Sequence, residues 1–409
     1  MSKIVELIKD YCPTGVQKKS LAEIGVILGG MSGKSKDDFT GGNSKYITYM
    51  NIYKNPKTDL NVTDYVNIKE NENQHQLKKG DVLFTGSSET PDECGISSVV
   101  CDEVLEPIYL NSFCFIFRTE EGIFNPHFLK HLFRSYEIRN QIGKTANGVT
   151  RYNVSKKLFA KVEIPSPPME VQNEIVRILD TFTELEAELE AELEARTKQY
   201  EYYRNKLLDF STGSVGVPRI DKMLAEMCPD GVELKTIESM IDYIQPTKYI
   251  VNNAKYSDDF KVPVLTAGKT FILGYTNETE GIFLADKNKP VMIFDDFTTS
   301  MHWVDFDFKV KSSALKILVP KNSNDNFRYL YYALKVLDYK KSDGTHERHW
   351  ISKYSKLEIQ VPPLEIQNEI VKILDNFSEY TSSISQGLPA EIAARRKQYE
   401  YYRNKLLTF

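Results

Sequence analysis

From Val171 onward the apolar positions fall at Val171, Ile175, Ile178, Phe182, Leu185 and Leu189, with gaps that alternate between 4 and 3. That rhythm is a heptad seam, the signature of a helix that packs one narrow stripe against a partner helix. Pro167-Pro168 stands just before it, where proline is tolerated at a helix start. The spacing predicts a helix over 169–208, about 60 Å long at 1.5 Å per residue. Ile366, Ile370, Ile373, Phe377, Tyr380 and Ile384 repeat the gaps after Pro362-Pro363. Both seams resume later, at Tyr200, Tyr203, Leu207 and at Tyr399, Tyr402, Leu406. Two helices with matching seams are expected to pack on each other. In the second, Gly387 and Pro389 should end one helix and start another.

Outside these helices the pattern changes. Residues 12–160 and 228–356 carry short apolar runs broken by Gly, Asn and Asp, such as Val82-Leu83-Phe84, Phe113-Cys114-Phe115-Ile116-Phe117 and Pro290-Val291-Met292-Ile293-Phe294. These read as strands, with one helix late in each segment, over 126–142 and 326–337. The expected fold is mixed, α+β: two α/β domains separated by two long helices that pack on each other, with an internal pseudo-twofold repeat.

The repeat is written in the letters themselves. Residues 198–208 read Lys-Gln-Tyr-Glu-Tyr-Tyr-Arg-Asn-Lys-Leu-Leu, and 397–407 are identical. Pro167-Pro168-Met169-Glu170-Val171-Gln172-Asn173-Glu174-Ile175-Val176 answers to Pro362-Pro363-Leu364-Glu365-Ile366-Gln367-Asn368-Glu369-Ile370-Val371, and Cys12-Pro13-Thr14-Gly15-Val16 to Cys228-Pro229-Asp230-Gly231-Val232. A unit used twice in one order presents two similar surfaces, which suits binding two related things at a set separation. Residues 184–195 are Glu-Leu-Glu-Ala three times over. Such a tetrad adds one helical turn plus a small rotation, so it can be gained or lost without breaking the stripe. A solvated, high-propensity helix face accounts for the composition but not for perfect tandem copies.

Net charge is −5, so the whole chain is no polycation. Six of the acids, however, sit within 184–194, and without that segment the balance becomes +1, which leaves room for local basic patches. The 5 cysteines include no Cys-x-x-Cys pair, which argues against a disulfide framework or a zinc site and for a reducing, cytoplasmic setting. No run of about 18 apolar residues suggests a membrane span.

Candidate chemistry is thin. Gly29-Gly30-Met31-Ser32-Gly33-Lys34-Ser35 lacks the glycine spacing of a phosphate-binding loop, because Leu28 stands where the first glycine belongs. Asp295-Asp296 has no downstream Glu-x-Lys to complete a nuclease site, and two acids at a strand end more often form turns or accept hydrogen bonds. No catalytic or metal-ligating constellation emerges. What recurs is Arg151-Tyr152-Asn153-Val154-Ser155-Lys156 against Arg348-His349-Trp350-Ile351-Ser352-Lys353, preceded by Lys144, Asn147, Gly148 and Thr150 in one copy and by Asp343, Gly344, Thr345 and His346 in the other. Bases, glycine and small polar residues at a loop-to-strand boundary suit phosphate and base-edge contacts; a solvated loop is the plainer alternative. Thr85, Ser87, Lys269, Thr298 and Thr299 lie in further loops of that kind. The DNA-contact candidates are therefore Lys144, Thr150, Arg151, Lys156, Thr85, Ser87, Lys269, Thr298, Thr299, His346, Arg348 and Lys353, with Leu185, Leu189, Leu193, Tyr200, Tyr203, Tyr399 and Tyr402 as spacer or partner positions on the helices.

Over its full length the chain resembles the specificity (S) subunit of a type I restriction–modification system, host-defence machinery. The Pro-Pro-x-Glu-x-Gln starts, the repeated undecapeptide, the Cys-Pro-x-Gly-Val openings and the tetrads carry the resemblance. The tetrads, together with Gly387-Leu388-Pro389-Ala390-Glu391-Ile392, resemble the subclass in which repeat number alters target spacing, although its better-known tetrad carries a Thr. The resemblance implies target-recognition domains at 1–160 and 212–356, spacer helices at 161–211 and 357–409 that form an antiparallel coiled coil, and a split, asymmetric double-stranded DNA target. It implies two modification subunits that bring S-adenosylmethionine and methylate adenine, and restriction subunits that add ATP- and Mg2+-dependent translocation and cleavage, with no catalysis and no cofactor in this chain. A coiled-coil scaffold with paired protein-binding domains is the alternative from another class.

Overall fold

A computed structural model describes residues 2–266, 270–322, 324–337, 339, 348–382 and 387–409. The helices that matter below are α1 (Ser2–Tyr11), α2 (Pro126–Leu132), α3 (Met169–Leu207), α4 (Pro218–Met227), α5 (Phe327–Lys335), α6 (Leu364–Ser382) and α7 (Leu388–Leu406). The main strands are β1 (Gly25–Gly29), β2 (Val82–Thr85), β3 (Ser97–Val99), β4 (Cys114–Thr119), β5 (Ile241–Ile244), β6 (Val291–Asp295), β7 (Met301–Val304) and β8 (Leu315–Pro320). The chain divides into two units, Met1–Ala191 with Ala390–Phe409, and Glu192–Pro389. The division falls inside α3, so each unit takes part of that helix.

The first unit is built on an antiparallel sheet in the order β1-β4-β2-β3, with Val82 opposite Phe117 and Leu83 opposite Ile116. Alternate residues along a strand point to opposite faces, and both faces here are covered. Val82, Phe84, Phe115 and Phe117 join the helical core with Phe128, Leu129, Phe159, Val171, Ile175 and Leu179. Leu83, Cys114 and Ile116 pack the other way, on Ile47 and Leu110 of a small sheet made by Tyr65–Val66, Ser44–Ile47 and Ile108–Leu110. Three layers result, and they explain why the strands read as unbroken apolar runs. Aromatic rings fix the centre: Phe84 stands edge-on to Phe159 at 4.9 Å and to Phe133 at 5.2 Å, a geometry worth about 0.5–1.5 kcal/mol per pair beyond burial.

The second unit repeats the plan. Its antiparallel sheet runs β5-β8-β6-β7. Met292, Phe294 and Leu318 face the helical core with Ile366, Ile370 and Leu374, and Val291, Ile293, Leu315 and Ile317 face the small sheet of Ile272–Thr276, Val262–Leu265 and Lys309–Val310. In both small sheets the middle strand has one antiparallel and one parallel neighbour. Phe294 lies 4.9 Å from Tyr354, as Phe84 does from Phe159.

The helix expected over 126–142 is two helices. It stops at Leu132 and restarts as Tyr136–Gly143, and the Ser135 hydroxyl donates to the Leu132 carbonyl at 2.7 Å across the break. The early turns of α3 also depart from a bare two-helix seam. Val171, Gln172, Glu174, Ile175 and Leu179 are all buried, a broad face set into the sheet-covering layer, as expected of a helix that belongs to a globular core. Farther along, within the first unit, Phe182 stacks on Tyr402 at 5.3 Å, and Arg396 donates to Glu186 at 2.8 Å and Glu190 at 3.0 Å. Rising numbers on α3 meet falling numbers on α7, so these helices run antiparallel. In the second unit Tyr203 of α3 meets Phe377 of α6 at 5.9 Å. α7 begins at Leu388 with Pro389 in its first turn, and Ile384 of the expected seam lies outside the described residues.

The identical undecapeptides therefore have equivalent places. Leu406 and Leu407 close the helical core of the first unit, and Leu207 and Leu208 close that of the second. Arg403 sits over Tyr399 at 5.3 Å, and Arg204 over Tyr200 at 5.6 Å. A further repeat escaped the sequence reading. α1 and α4 occupy matching positions, with Lys3 bonded to Glu174 at 3.1 Å and Arg219 to Glu369 at 2.8 Å.

Candidate nucleic-acid interface

In the first unit the candidate residues gather on a hairpin. Ala146–Asn147 pairs with Tyr152–Val154, which in turn pairs with Ser87–Ser88. At the tip Gly148 has φ 149°, and a Cβ there would stand 2.0 Å from the Arg151 carbonyl oxygen, so only glycine closes this turn. Lys144, Asn147, Thr150 and Arg151 are exposed, and Val149 is 89% exposed. The Arg151 guanidinium reaches back over the sheet and donates to Ser87 Oγ from Nε (3.3 Å) and Nη2 (3.1 Å). Tyr49 donates to the Ser87 carbonyl at 3.0 Å and stacks with Tyr53, whose hydroxyl donates to Glu93 at 2.6 Å. The hydrogen bond to Glu93 lifts the Tyr53 phenol above its ordinary pKa, and burial lifts that of Tyr49. Together with Met50, Glu89, Asn111 and Phe113 these groups bound an open cleft of about 600 Å³.

Two of the first unit's candidates are not at a surface. Thr85 is fully buried, and its hydroxyl accepts the Ile96 N–H at 2.9 Å. Ser87 is 5% exposed and spends its hydroxyl on Arg151. Both support the loop from beneath. Lys156 is exposed, opens a short helix and lies 5.7 Å from the Phe115 ring centre.

In the second unit Thr298 and Thr299 occupy a tight turn after β6. The Asp295 carboxylate accepts from the N–H of Phe297 (2.8 Å) and Thr298 (3.2 Å) and from the Thr298 hydroxyl (2.6 Å). Thr299 has φ 59°, a left-handed conformation rare for a β-branched residue. Asp296 is buried with Lys316 and accepts the Trp350 N–H at 2.8 Å. The acid pair is thus a turn former and a loop anchor. Arg348 and Lys353 are exposed; Lys269 and His346 lie outside the described residues. Lys34, of the glycine-rich stretch, is tied to Glu72 and to the Asn67 carbonyl.

The two Arg-to-Lys stretches do not superpose as the letters suggest. The backbone bond from Val154 N to Gly86 O has its counterpart in the bond from His349 N to Asp296 O, and Phe159 matches Tyr354 under the equivalent ring. The true partner of Val154 is His349, whereas the letter match pairs Val154 with Ile351, two residues out of register. Arg151 and Arg348, and Lys156 and Lys353, are therefore not equivalent, and the recurrence that favoured them as a pair disappears. Each stands on its own surroundings.

On the helices, Tyr200 and Tyr399 are partly buried against the two cores, and Tyr402 against the first, while Tyr203 is 38% and Leu185 39% exposed. Leu189 and Leu193 are half-buried. The residues the sequence reading missed lie beside them. Gln172 accepts the Asn125 N–H at 2.8 Å and donates to the Pro167 (2.8 Å) and Ile123 (2.9 Å) carbonyls, while Asn173 accepts from the Asn125 amide at 2.8 Å. Gln367 and Asn368 do the same for Asn326, at 2.7 and 2.8 Å, with Gln367 donating to the Pro362 carbonyl at 2.8 Å and to Asp325 at 3.0 Å. Asn125 and Asn326 cap α2 and α5, so the Gln-Asn of each Pro-Pro motif is a lock on the capping residue of a domain helix. The motif itself was the available signal.

About two turns farther along each helix stands an aspartate. Asp180 accepts from Lys130 (2.7 Å), contacts His127 Nδ1 (3.1 Å) and bonds His131 Nε2 (2.7 Å), whose Nδ1 meets Tyr399 Oη at 2.8 Å. Burial drives the His131 pKa down to about 4. Burial alone would raise that of Asp180, but the bonds from His127, His131 and Lys130 outweigh it and hold the carboxyl well below its ordinary range. Asp375 plays the part in the second unit, with Arg328 at 2.8 Å and the Tyr332 hydroxyl.

Among the described residues no group of three or more His, Cys, Asp or Glu is placed to hold a metal ion, and no helix is long and apolar enough to cross a membrane. Comparison with known proteins gives one consistent result. The family model described as Type I restriction modification DNA specificity domain matches residues 13–195 and again 229–394. The EcoR124I/EcoR124II specificity subunit of Escherichia coli is 50% identical over 190 residues, 44% of this chain and 46% of that protein, so the match spans about half of that relative's length. A putative type I restriction enzyme specificity subunit of Haemophilus influenzae is 33% identical over 290 residues, 64% of this chain and 68% of its own. The crystal structure of the type I restriction–modification S subunit from M. genitalium shares the fold, with a TM-score of 0.55 at 14% identity over 97% of this chain and 96% of that one. With the same domain signature on both halves and the same sheet order in both units, the chain belongs to the family of type I restriction–modification DNA specificity proteins.

Proposed function

We propose that this chain is the DNA-specificity subunit of a type I restriction–modification complex, and that each unit's α/β domain reads one half of a bipartite, asymmetric duplex target. The observation that carries this reading is the double match of a DNA specificity domain to halves that share one architecture. The target-recognition domains are 1–160 and 212–356, and 161–211 and 357–409 are spacer segments. The chain is non-catalytic. It delivers two modification subunits, which supply S-adenosylmethionine and methylate adenine, and restriction subunits, which supply ATP- and Mg2+-dependent cleavage, to a chosen site in the cytoplasm. Sequencing of methylated adenine in cells with and without this gene tests the proposal: a gapped motif that vanishes with the gene supports it, and an unchanged methylome defeats it.

The three Glu-Leu-Glu-Ala tetrads support a finer part of the same proposal, that repeat number sets the gap. Each adds about 6 Å of helix, and duplex DNA rises about 3.4 Å per base pair. Deleting one tetrad is expected to shorten the unread spacer by about one to two base pairs and to leave both half-sites intact. An altered half-site with unchanged spacing, read from the same methylation map, would contradict the ruler. Arg348 and Lys353 serve as phosphate contacts in this reading; alanine there weakens binding on every sequence and lowers the salt slope.

A further inference from the structure

The cleft of the first unit holds a side chain with unusual preparation. Arg151 is exposed, yet it is not loose: its Nε and Nη2 donors converge on one hydroxyl, Ser87 Oγ, at 3.3 and 3.1 Å. Ser87 is itself buried within a three-stranded sheet, and its carbonyl is held by Tyr49 at 3.0 Å. The inner edge of the guanidinium is thereby occupied. The outer edge, with parallel N–H bonds on Nη1 and Nη2, is not engaged by Ser87, Arg151 lines the cleft, and among the described residues no carboxylate forms an ion pair with Arg151. That edge has the geometry that matches two acceptors side by side.

Two ligands present such acceptors, a phosphate and the O6/N7 edge of guanine. The surroundings separate them. The same cleft is lined by Glu89 and Glu93, whose charges repel a phosphate; Glu93 already accepts from Tyr53 and Thr90, which makes the exposed Glu89 the acceptor suited to the N4 amine of the cytosine paired with that guanine. Its rim carries Phe113, 65% exposed, and Met50, 48% exposed, apolar tips suited to a groove floor and ill-suited to a charged backbone. A held arginine beside an acceptor carboxylate is complementary to a G·C pair.

We propose that Arg151 is a specificity-determining residue that reads a guanine in the half-site of the first unit, with Ser87 as its positioning residue. This rests on the DNA-specificity reading above. The test is a methylation map in cells that express the full chain with its modification subunits, as wild type, Arg151→Gln, Arg151→Lys and Ser87→Ala, together with the salt dependence of duplex binding by the complex. Arg151→Gln is expected to relax discrimination at a single guanine by roughly 10- to 100-fold, with the other half-site and the salt slope unchanged. Arg151→Lys keeps the charge without the fork and should relax the same position; Ser87→Ala should do so more weakly. The unaltered half-site serves as the internal control for folding, and should the Gln variant fail to fold, the Lys variant decides. A wild-type half-site without guanine, unchanged discrimination in the Lys variant, or a uniform loss on all sequences with a shallower salt slope overturns the inference while leaving the functional reading in place. A wild-type chain that directs no gapped motif would instead defeat that reading.

Discussion

The two units seat equivalent helices with different chemistry. Asp180 in the first is surrounded by His127, Lys130 and His131, and the imidazole of His131 passes the hydrogen-bond chain on to Tyr399. Asp375 in the second is met by Arg328 and Tyr332, with Arg328 laid over Trp303 at 4.6 Å. The frame is held constant: the Gln-Asn lock, the undecapeptide and the sheet order. The ionisable contents differ. Arg328 keeps its charge, and burial pushes the Tyr332 phenol upward. In the first unit the buried His131 stays neutral in mild acid, where an unfolded histidine takes up a proton.

The comparison is broken most severely at the chain's end. Truncation before Lys397 removes Leu406 and Leu407, 7% and 3% exposed, from the first core, at about 5 kcal/mol for the two side chains together. Hydrogen exchange should show the first unit opening while the second, which keeps Leu207 and Leu208, stays protected; equal loss in both would mean the two undecapeptides are not equivalent supports.

Acid should come next. Folded His131 has a pKa near 4 against about 6.5 when unfolded. The unfolded chain binds the proton more readily, so this contribution is complete above pH 6.5 and is lost as pH falls toward 4. Asp180, held ionised, loses its own contribution in the same direction at lower pH. The span amounts to about 3 kcal/mol for His131 in the first unit; in the second, burial also lowers the His302 pKa and adds a loss of the same sign. Denaturant titrations from pH 7 to 4.5 with unit-specific probes measure it. His131→Tyr, which imports the second unit's residue, should flatten the slope.

Gln172→Ala and Gln367→Ala sharpen the resemblance instead. Each strands a cap N–H and a proline carbonyl, so each is expected to cost about 2–3 kcal/mol, with a difference between them under about 1 kcal/mol in thermal unfolding although the third partner is the Ile123 carbonyl in one and Asp325 in the other. A large disparity would show that the locks are alike in form only.

Sequence alone revealed the duplication, the long helices and the strand runs, because Val82-Leu83-Phe84 and Val291-Met292-Ile293-Phe294 are apolar at successive positions and Val171 onward has an unmistakable period; the layers around those strands were not legible. It failed where tertiary partners decide. Gln172 looks like any polar helix residue until Asn125 is brought beside it. Thr85 looks like a loop donor until Ile96 claims its hydroxyl. The alignment of Arg151 with Arg348 followed similar letters, whereas hydrogen bonding sets the register through Val154 and His349. In Arg151 the residue type was legible, but its buttress was not, because Ser87 lies 64 positions away in the chain.

The allocation of the last twenty residues has a temporal consequence. Residues 390–409 belong to the unit formed by the amino-terminal residues. During synthesis the second unit has all its pieces before the first does, since Met1–Ala191 waits for Ala390–Phe409 to leave the ribosome. The order of completion is the reverse of the order of translation, and a polypeptide that stops short of Ala390 is left with an open seam on its first unit.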